Sequence, residues 1–235
     1  MYIRLYFIFE KYAMKKTLFL LIGLSLALFT NAQIDKTDLA LKVSKADDAN
    51  LEKLKSYIWK RQSVVSINGQ VKLTTITEFK FDENGDLQTE VVDAESTVKK
   101  KPGLRGAAQQ SAAEDKLDYV EKSLKIALAY TYMSKGQLID FFDKSTVEKN
   151  GDVYTVTGQD VYLKGDKLVV LIDAKTNLFI KKTFSSFVDK DALSGEILYE
   201  TFSNGTSHGS TTTMSMPAQS MTIVAKNQDY TIRVQ

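Results

Sequence analysis

The sequence predicts an α+β fold, a long antiparallel sheet that curls into a half-barrel wrapped round central helices. Three observations carry that expectation. Helical periodicity is confined to residues 36–56 and 111–142, while period-two alternation fills residues 57–98 and returns from 146 onward. Turn-forming pairs, Asn68-Gly69 and Asn204-Gly205 among them, separate the strands so closely that sequence neighbours become antiparallel neighbours. About nine long strands result, and a twisted sheet of that width must curl and have its concave face filled. The central helices are the segments available to fill it.

A targeting segment precedes this fold. "MKKTLFLLIGLSLALFTNAQ" begins at Met14, with Lys15 and Lys16 as a positive n-region and Thr17 to Phe29 as an apolar stretch. Thr30 and Ala32 are small residues at the −3 and −1 places of a cleavage site before Gln33. This is the pattern of a secretory signal peptide, and its apolar run is shorter than the ~20 residues a membrane-crossing helix needs. Glu10 is out of place in a signal, so residues 1–13 are expected to be an upstream mis-start. The expected organisation is therefore signal peptide 14–32, then one α+β domain over 33–235. The localisation that follows is periplasmic or secreted, with cleavage between Ala32 and Gln33 and no membrane span afterwards.

Composition removes several chemistries. The chain has no cysteine, which excludes disulfides, lipid attachment at cysteine, thiol catalysis and thiolate metal sites. A single histidine excludes the usual zinc sets of two or three. No metal and no cofactor is expected. Residues 1–32 hold four basic residues and one acidic one, so the chain beyond them carries 27 basic against 28 acidic residues, a formal charge of −1 where the whole chain has +2. Nucleic-acid binding loses its electrostatic support.

The elements are expected in this order. Over 36–56, Asp47 or Asp48 caps a helix with apolar positions Leu51, Leu54 and Ile58. "YIWKRQSVVSI" (57–67), "QVKLTTITEFKF" (70–81) and "LQTEVVDAESTV" (87–98) form a three-stranded meander through the turns Asn68-Gly69 and "DENGD". One slip in the alternation of Val71, Leu73, Ile76, Phe79 and Phe81 predicts a bulge. Residues 99–111, basic and broken by Pro102 and two glycines, read as a mobile surface loop. Ser111 and Glu114 spell a capping box for a helix to about Met133, with the stripe Leu117, Val120, Leu124, Ala127, Leu128 and Thr131. "GQLIDFF" (136–142) is a second short helix. Candidate strands follow over 152–163, 167–173, 178–188, 196–203, 210–216 and 221–227, separated by "KGD", "AKTN", "KDALSG" and "NGTSHG".

Residues 150–205 carry a resemblance: a strand begun by Gly151-Asp152, a strand ending in Asp173, a short turn, then paired strands before Asn204-Gly205. In this succession the chain resembles the LolA/LolB-like fold of periplasmic lipoprotein carriers, and, on to "NQDY" (227–230), a group of exported bacterial proteins of unknown function. The carrier's Trp-x-x-Pro strand is missing here, since Trp59 is followed by Lys60 and Arg61. What the resemblance implies is a mostly apolar cavity under a curled sheet, with Phe79, Phe81, Tyr154, Phe179, Phe184, Phe187, Tyr199 and Phe202 as its aromatic lining. Ordinary core packing is the alternative role for the same side chains.

Two spellings suggest sites and do not hold them. Asp82, Asn84, Asp86 and Asp93 echo a calcium loop, but Leu87 stands where the sharp turn requires glycine, so a hairpin with Gly85 at positive φ is expected. "NGTSHGS" (204–210) contains G-x-S-x-G at Gly205, Ser207 and Gly209. A nucleophile elbow needs a helix after its serine and a base from elsewhere. Here threonines follow, and the one histidine, His208, is adjacent to Ser207. The expectation is a hairpin turn with His208 as a solvated loop residue.

The functional expectation is thus an exported, non-enzymatic domain that binds a lipid, acyl chain or other apolar ligand in the half-barrel cavity. A cell-envelope structural or protein-interaction module with a filled core is the alternative, with another envelope protein as its partner. A serine hydrolase at Ser207 is the third reading.

Overall fold

The structure, a computed structural model, describes residues 34–97 and 104–233, with the side chains of 104–113 excepted. The expected mis-start, signal peptide and cleavage site lie outside the described residues, as do positions 99–103 of the expected loop. Residues from Lys36 onward form one compact unit. No helix among the described residues is long and apolar enough to cross a membrane.

Among the described residues, three α-helices and ten strands follow in the order α1 (Lys36–Leu54), β1 (Tyr57–Ile67), β2 (Gln70–Phe81), β3 (Leu87–Ser96), α2 (Leu104–Thr131), α3 (Lys135–Lys144), β4 (Thr146–Asn150), β5 (Val153–Gln159), β6 (Lys167–Asp173), β7 (Phe179–Val188), β8 (Asp191–Thr201), β9 (Ser207–Met216) and β10 (Met221–Ile232). All ten strands make one open sheet in the order β3-β2-β1-β10-β9-β8-β7-β6-β5-β4. Strands adjacent in sequence pair antiparallel, except β3 and β4, which are the two edges; β1 also pairs antiparallel with β10 and so joins the first meander to the last strand.

The α+β half-barrel expected from sequence is the architecture found. β2 and β7 stand five strand spacings apart, about 24 Å across a flat sheet at ~4.8 Å per strand. Yet α2 touches both within one turn. Tyr132, just past its end, meets Phe81 edge-on at 6.1 Å, and Tyr130 stacks on Phe184 at 4.3 Å. A helix ~10–12 Å across reaches both only if the sheet curls round it.

Several local expectations change. α1 is one uninterrupted helix, so Asp47 and Asp48 lie inside it rather than at a cap, and Ile58 belongs to β1. α2 begins at Leu104, which takes 104–111 out of the expected loop and puts Ser111 in a helix interior. The capping box that does form is at α3: the Gln137 amide donates to Ser134 Oγ (3.3 Å) while Ser134 N–H donates to Gln137 Oε1 (2.8 Å). Ile76 pairs with Gln62 on the face opposite Phe79, and β2 carries its bulge earlier, where Val65 opposes Leu73 and Ser66 opposes Val71, leaving Lys72 as the extra residue.

The strand at 152–163 stops at Gln159, because residues 160–166 fold into a tight loop round Asp166. The turn expected at "KDALSG" (190–195) lies instead at Asp189 and Lys190, with Asp189 at φ 54°, and residues 191–195 begin β8. Gly195 reads as turn chemistry in the sequence, and its requirement is packing. A Cβ there would stand 2.3 Å from Phe184 Cζ, so only glycine lets the Phe184 ring lie on β8. Gly158 does the same for α3, with Phe141 Cε2 2.8 Å from where a Cβ would be.

Candidate functional site

The eight aromatic residues expected to line one cavity fall into separate groups. Phe79, Phe81 and Phe202 join Tyr57, Trp59 and Tyr230 at one end of the sheet, where Trp59 stacks on Phe79 at 5.6 Å and Tyr57 on Phe202 at 5.3 Å. Phe184 packs under Tyr130, and Phe179 meets Tyr199 at 5.7 Å. Tyr154 is half-buried on β5 beside Lys149, whose Nζ lies 5.2 Å from its ring. Phe187 alternates out of the core and is 38% exposed.

His208 is not a solvated loop residue. The turn ends at Thr206 and β9 starts at Ser207, which carries His208 into the sheet, where it is 7% exposed. Its ring stacks on Phe202 at 4.2 Å and lies 4.5 Å from Tyr230. Burial pushes its pKa below the ordinary histidine value, so it is neutral near pH 7. In the turn before it Gly205 takes positive φ, at 81°. Ser207 is held through its backbone: its N–H donates to Asn50 Oδ1 (2.6 Å) and its carbonyl accepts from Asn50 Nδ2 (2.8 Å). A strand, not a helix, follows the serine, and its hydroxyl makes no hydrogen bond to His208 among the described residues. The arrangement has no nucleophile–base pair.

"DENGD" is likewise a self-contained turn. Asp82 Oδ1 accepts the N–H of Asn84 and of Asp86, both at 2.9 Å. The bond from Asp86, with those from Gln88, Asn84 and Gly85, holds the Asp82 pKa below the usual carboxylate value. Gly85 takes φ 86° as expected.

Two buried cations lie on the concave face: Arg61, to which the sequence assigns no role, and Lys182, which the sequence does not single out. Lys182 has no exposure. Its Nζ donates to the carbonyls of Tyr130 (3.0 Å) and Thr131 (3.1 Å), the last residues of α2, and sits 3.9 Å above the Phe179 ring. Burial lowers its pKa to about 8, against a smaller opposing pull from Asp47 on α1. Arg61 is 5% exposed; its Nε donates to Asn227 Oδ1 (2.8 Å) and its guanidinium lies 4.4 Å from the Phe79 centroid. Burial lowers its pKa as well, though it remains a cation. Parity along the strand was the available signal: Arg61 shares a face with Trp59 and Val65, and Lys182 with Phe184 and Val188.

One apolar hollow opens between sheet and helix. It holds about 160 Å³ and is lined by Val65, Ile67, Leu73 and Met221 from β1, β2 and β10, by Leu117 and Val120 from α2, and at its margins by Lys72, Ser96 and Lys116. None of the eight aromatics lines it. A second hollow of about 340 Å³ lies between α1 and α3, lined in part by Lys36, Asp140 and Asp143. An apolar chain there would desolvate charges, whereas the first hollow presents hydrocarbon.

In fold the chain is similar to several solved structures. One is a DUF1329 family protein from Desulfovibrio piger, at 12% identity over 85% of this chain and 92% of that one, with a TM-score of 0.41. Another is a domain described as an outer membrane lipoprotein-sorting protein from Vibrio parahaemolyticus, at 11% identity over 83% and 94%, TM-score 0.43. A third is a LolA superfamily protein from Nitrosomonas europaea, at 13% identity over 80% and 94%, TM-score 0.37. No family profile and no curated protein matches the chain.

Proposed function

We propose that this is an exported binding domain that takes an apolar chain into the groove between α2 and strands β1, β2 and β10. The single observation that supports this is the groove, an open hollow of about 160 Å³ whose lining is hydrocarbon except at its margins. Its size selects among ligands. An apolar protein cavity of ~150 Å³ accommodates a benzene, and pockets for larger ligands start near ~300 Å³. The groove thus suits one short chain or the end of a longer one, rather than both chains of a diacyl lipid. The aromatics act as support: Val65 continues the strand that carries Trp59, and Leu73 the strand that carries Phe79 and Phe81. Export rests on the signal-peptide pattern of residues 14–32.

The alternative, an envelope interaction module with a filled core, is favoured by a different observation. Within β5 to β8 the packing is close at two points, where Phe141 approaches Gly158 and Phe184 approaches Gly195, and this supports a filled core. Native mass spectrometry of protein purified from its host, followed by organic extraction, separates the two. A bound aliphatic molecule that is lost in Leu73→Trp, which fills the groove, is the expected result. A clean apo mass together with no uptake of any aliphatic probe would overturn the binding proposal and leave the module.

A further inference from the structure

The groove has two charged residues in its lining, and they come from opposite walls: Lys72 from β2 and Lys116 from α2. Their placement is specific. In a regular strand, neighbouring residues point to opposite faces, yet Lys72 and Leu73 line the same groove. Lys72 is the extra residue of the β2 bulge, opposite no residue of β1, and bulges re-aim side chains in this way.

Neither lysine forms an ion pair among the described residues. Among the described residues the Lys72 ammonium donates to the neutral Gln70 Oε1, at 2.8 Å. Elsewhere on α2 the lysines are paired, Lys122 with Asp118 at 2.9 Å and Lys125 with Glu121 at 2.8 Å. An apolar slot flanked by two cations without counter-ions among the described residues is complementary to a molecule with a hydrocarbon tail and one compact negative head.

We infer that the groove's ligand is a single-chain carboxylic acid, held with its tail among Val65, Leu73, Leu117 and Met221 and its carboxylate between Lys72 and Lys116. This rests on the binding role proposed above. The competing explanation for the lysines is that their stems merely cover hydrocarbon while their heads stay in water, and then the head group of the ligand would not matter.

Titration calorimetry at low salt with octanoate, 1-octanol and octyltrimethylammonium separates these cases, because the tail is constant. Two exposed ion pairs are worth roughly a three- to tenfold preference for the carboxylate over the alcohol, and the cation should bind weakest. In the Lys72→Gln/Lys116→Gln double variant the carboxylate-to-alcohol ratio should fall to about one, with circular dichroism verifying the fold. Equal binding of octanoate and octanol to the native protein overturns the inference while the groove proposal stands. A preference that persists in the double variant overturns the assignment to these lysines. Failure of every probe to bind overturns both the inference and the binding role beneath it.

Discussion

Lys182 occupies a position where β7 faces the end of α2, and the helix explains its presence. The last carbonyls of a helix lack partners within it and carry its negative end; Lys182 donates to two of them while Tyr199 Oη adds a third donor at 3.2 Å from the Thr131 carbonyl oxygen. The cost is a buried charge. With a folded pKa of about 8 against an ordinary 10.5, the folded state holds the proton less tightly than the unfolded one. The native protein should therefore be most stable above about pH 10.5 as far as this group is concerned, and lose stability as pH falls toward 8, by about 3 kcal/mol across that window. In Lys182→Met the buried charge is gone and that slope should vanish, with a cost near neutral pH of only ~1 to 2 kcal/mol for the bonds lost. Urea unfolding of both proteins between pH 7.5 and 9.5 measures this; parallel slopes would contradict the assignment.

At the scale of the element, the loop after β5 shows how one side chain organises seven residues. Asp166 has no exposure, and its carboxylate accepts the N–H groups of Val161 (2.6 Å), Tyr162 (2.8 Å) and Leu163 (3.0 Å) together with the hydroxyl of Tyr130 (2.6 Å). Three successive backbone donors form an anion cradle that the chain fills with its own carboxylate, and the Tyr130 bond fastens the loop to α2. Asp166→Asn keeps the shape but loses the charge and sets an amide against backbone donors. It should destabilise the fold by about 2 to 4 kcal/mol, read from thermal unfolding, with the 160–166 amides losing hydrogen-exchange protection first. A change below ~0.5 kcal/mol would mean the cradle does not hold the loop. The strand pattern ran on to residue 163 because Val161 and Leu163 keep the alternation; polar satisfaction by a distant Asp overrides it.

For the whole molecule, the order of the sheet places β1 and β10, the first and last described strands, in its interior and leaves β3 and β4 as edges. β3 is exposed from Gln88 to Ser96 and carries Glu90, Asp93 and Glu95, charges of the kind that keep an edge from pairing with another chain. Local opening follows burial. Hydrogen exchange should therefore protect β10, β9 and β8 most, and β3 should exchange fastest among the long strands. Equal protection of β3 and β10 would imply that β3 is covered in solution.

The sequence by itself determined the class of fold. Two helical segments amid long alternating runs, hairpin signals such as Asn68-Gly69, and too many strands for a flat sheet are all local or additive properties. It also bounded chemistry by counting cysteine and histidine. The tertiary structure alone decided which residues share a space. His208 moved from a turn into an aromatic stack because β9 begins three residues earlier than threonine content suggested. Gly195 changed from a turn marker to a seat for Phe184. Of the expected lining aromatics, Phe79, Phe81, Phe179 and Phe184 became core and Phe187 points outward, while the groove fell to Val65, Leu73, Leu117 and Met221, from three strands and a helix far apart in sequence. Alternation fixes parity within a strand. It cannot fix which strands the curl brings under one helix, or where a bulge such as that at Lys72 reverses parity, because both depend on contacts between residues far apart in the chain.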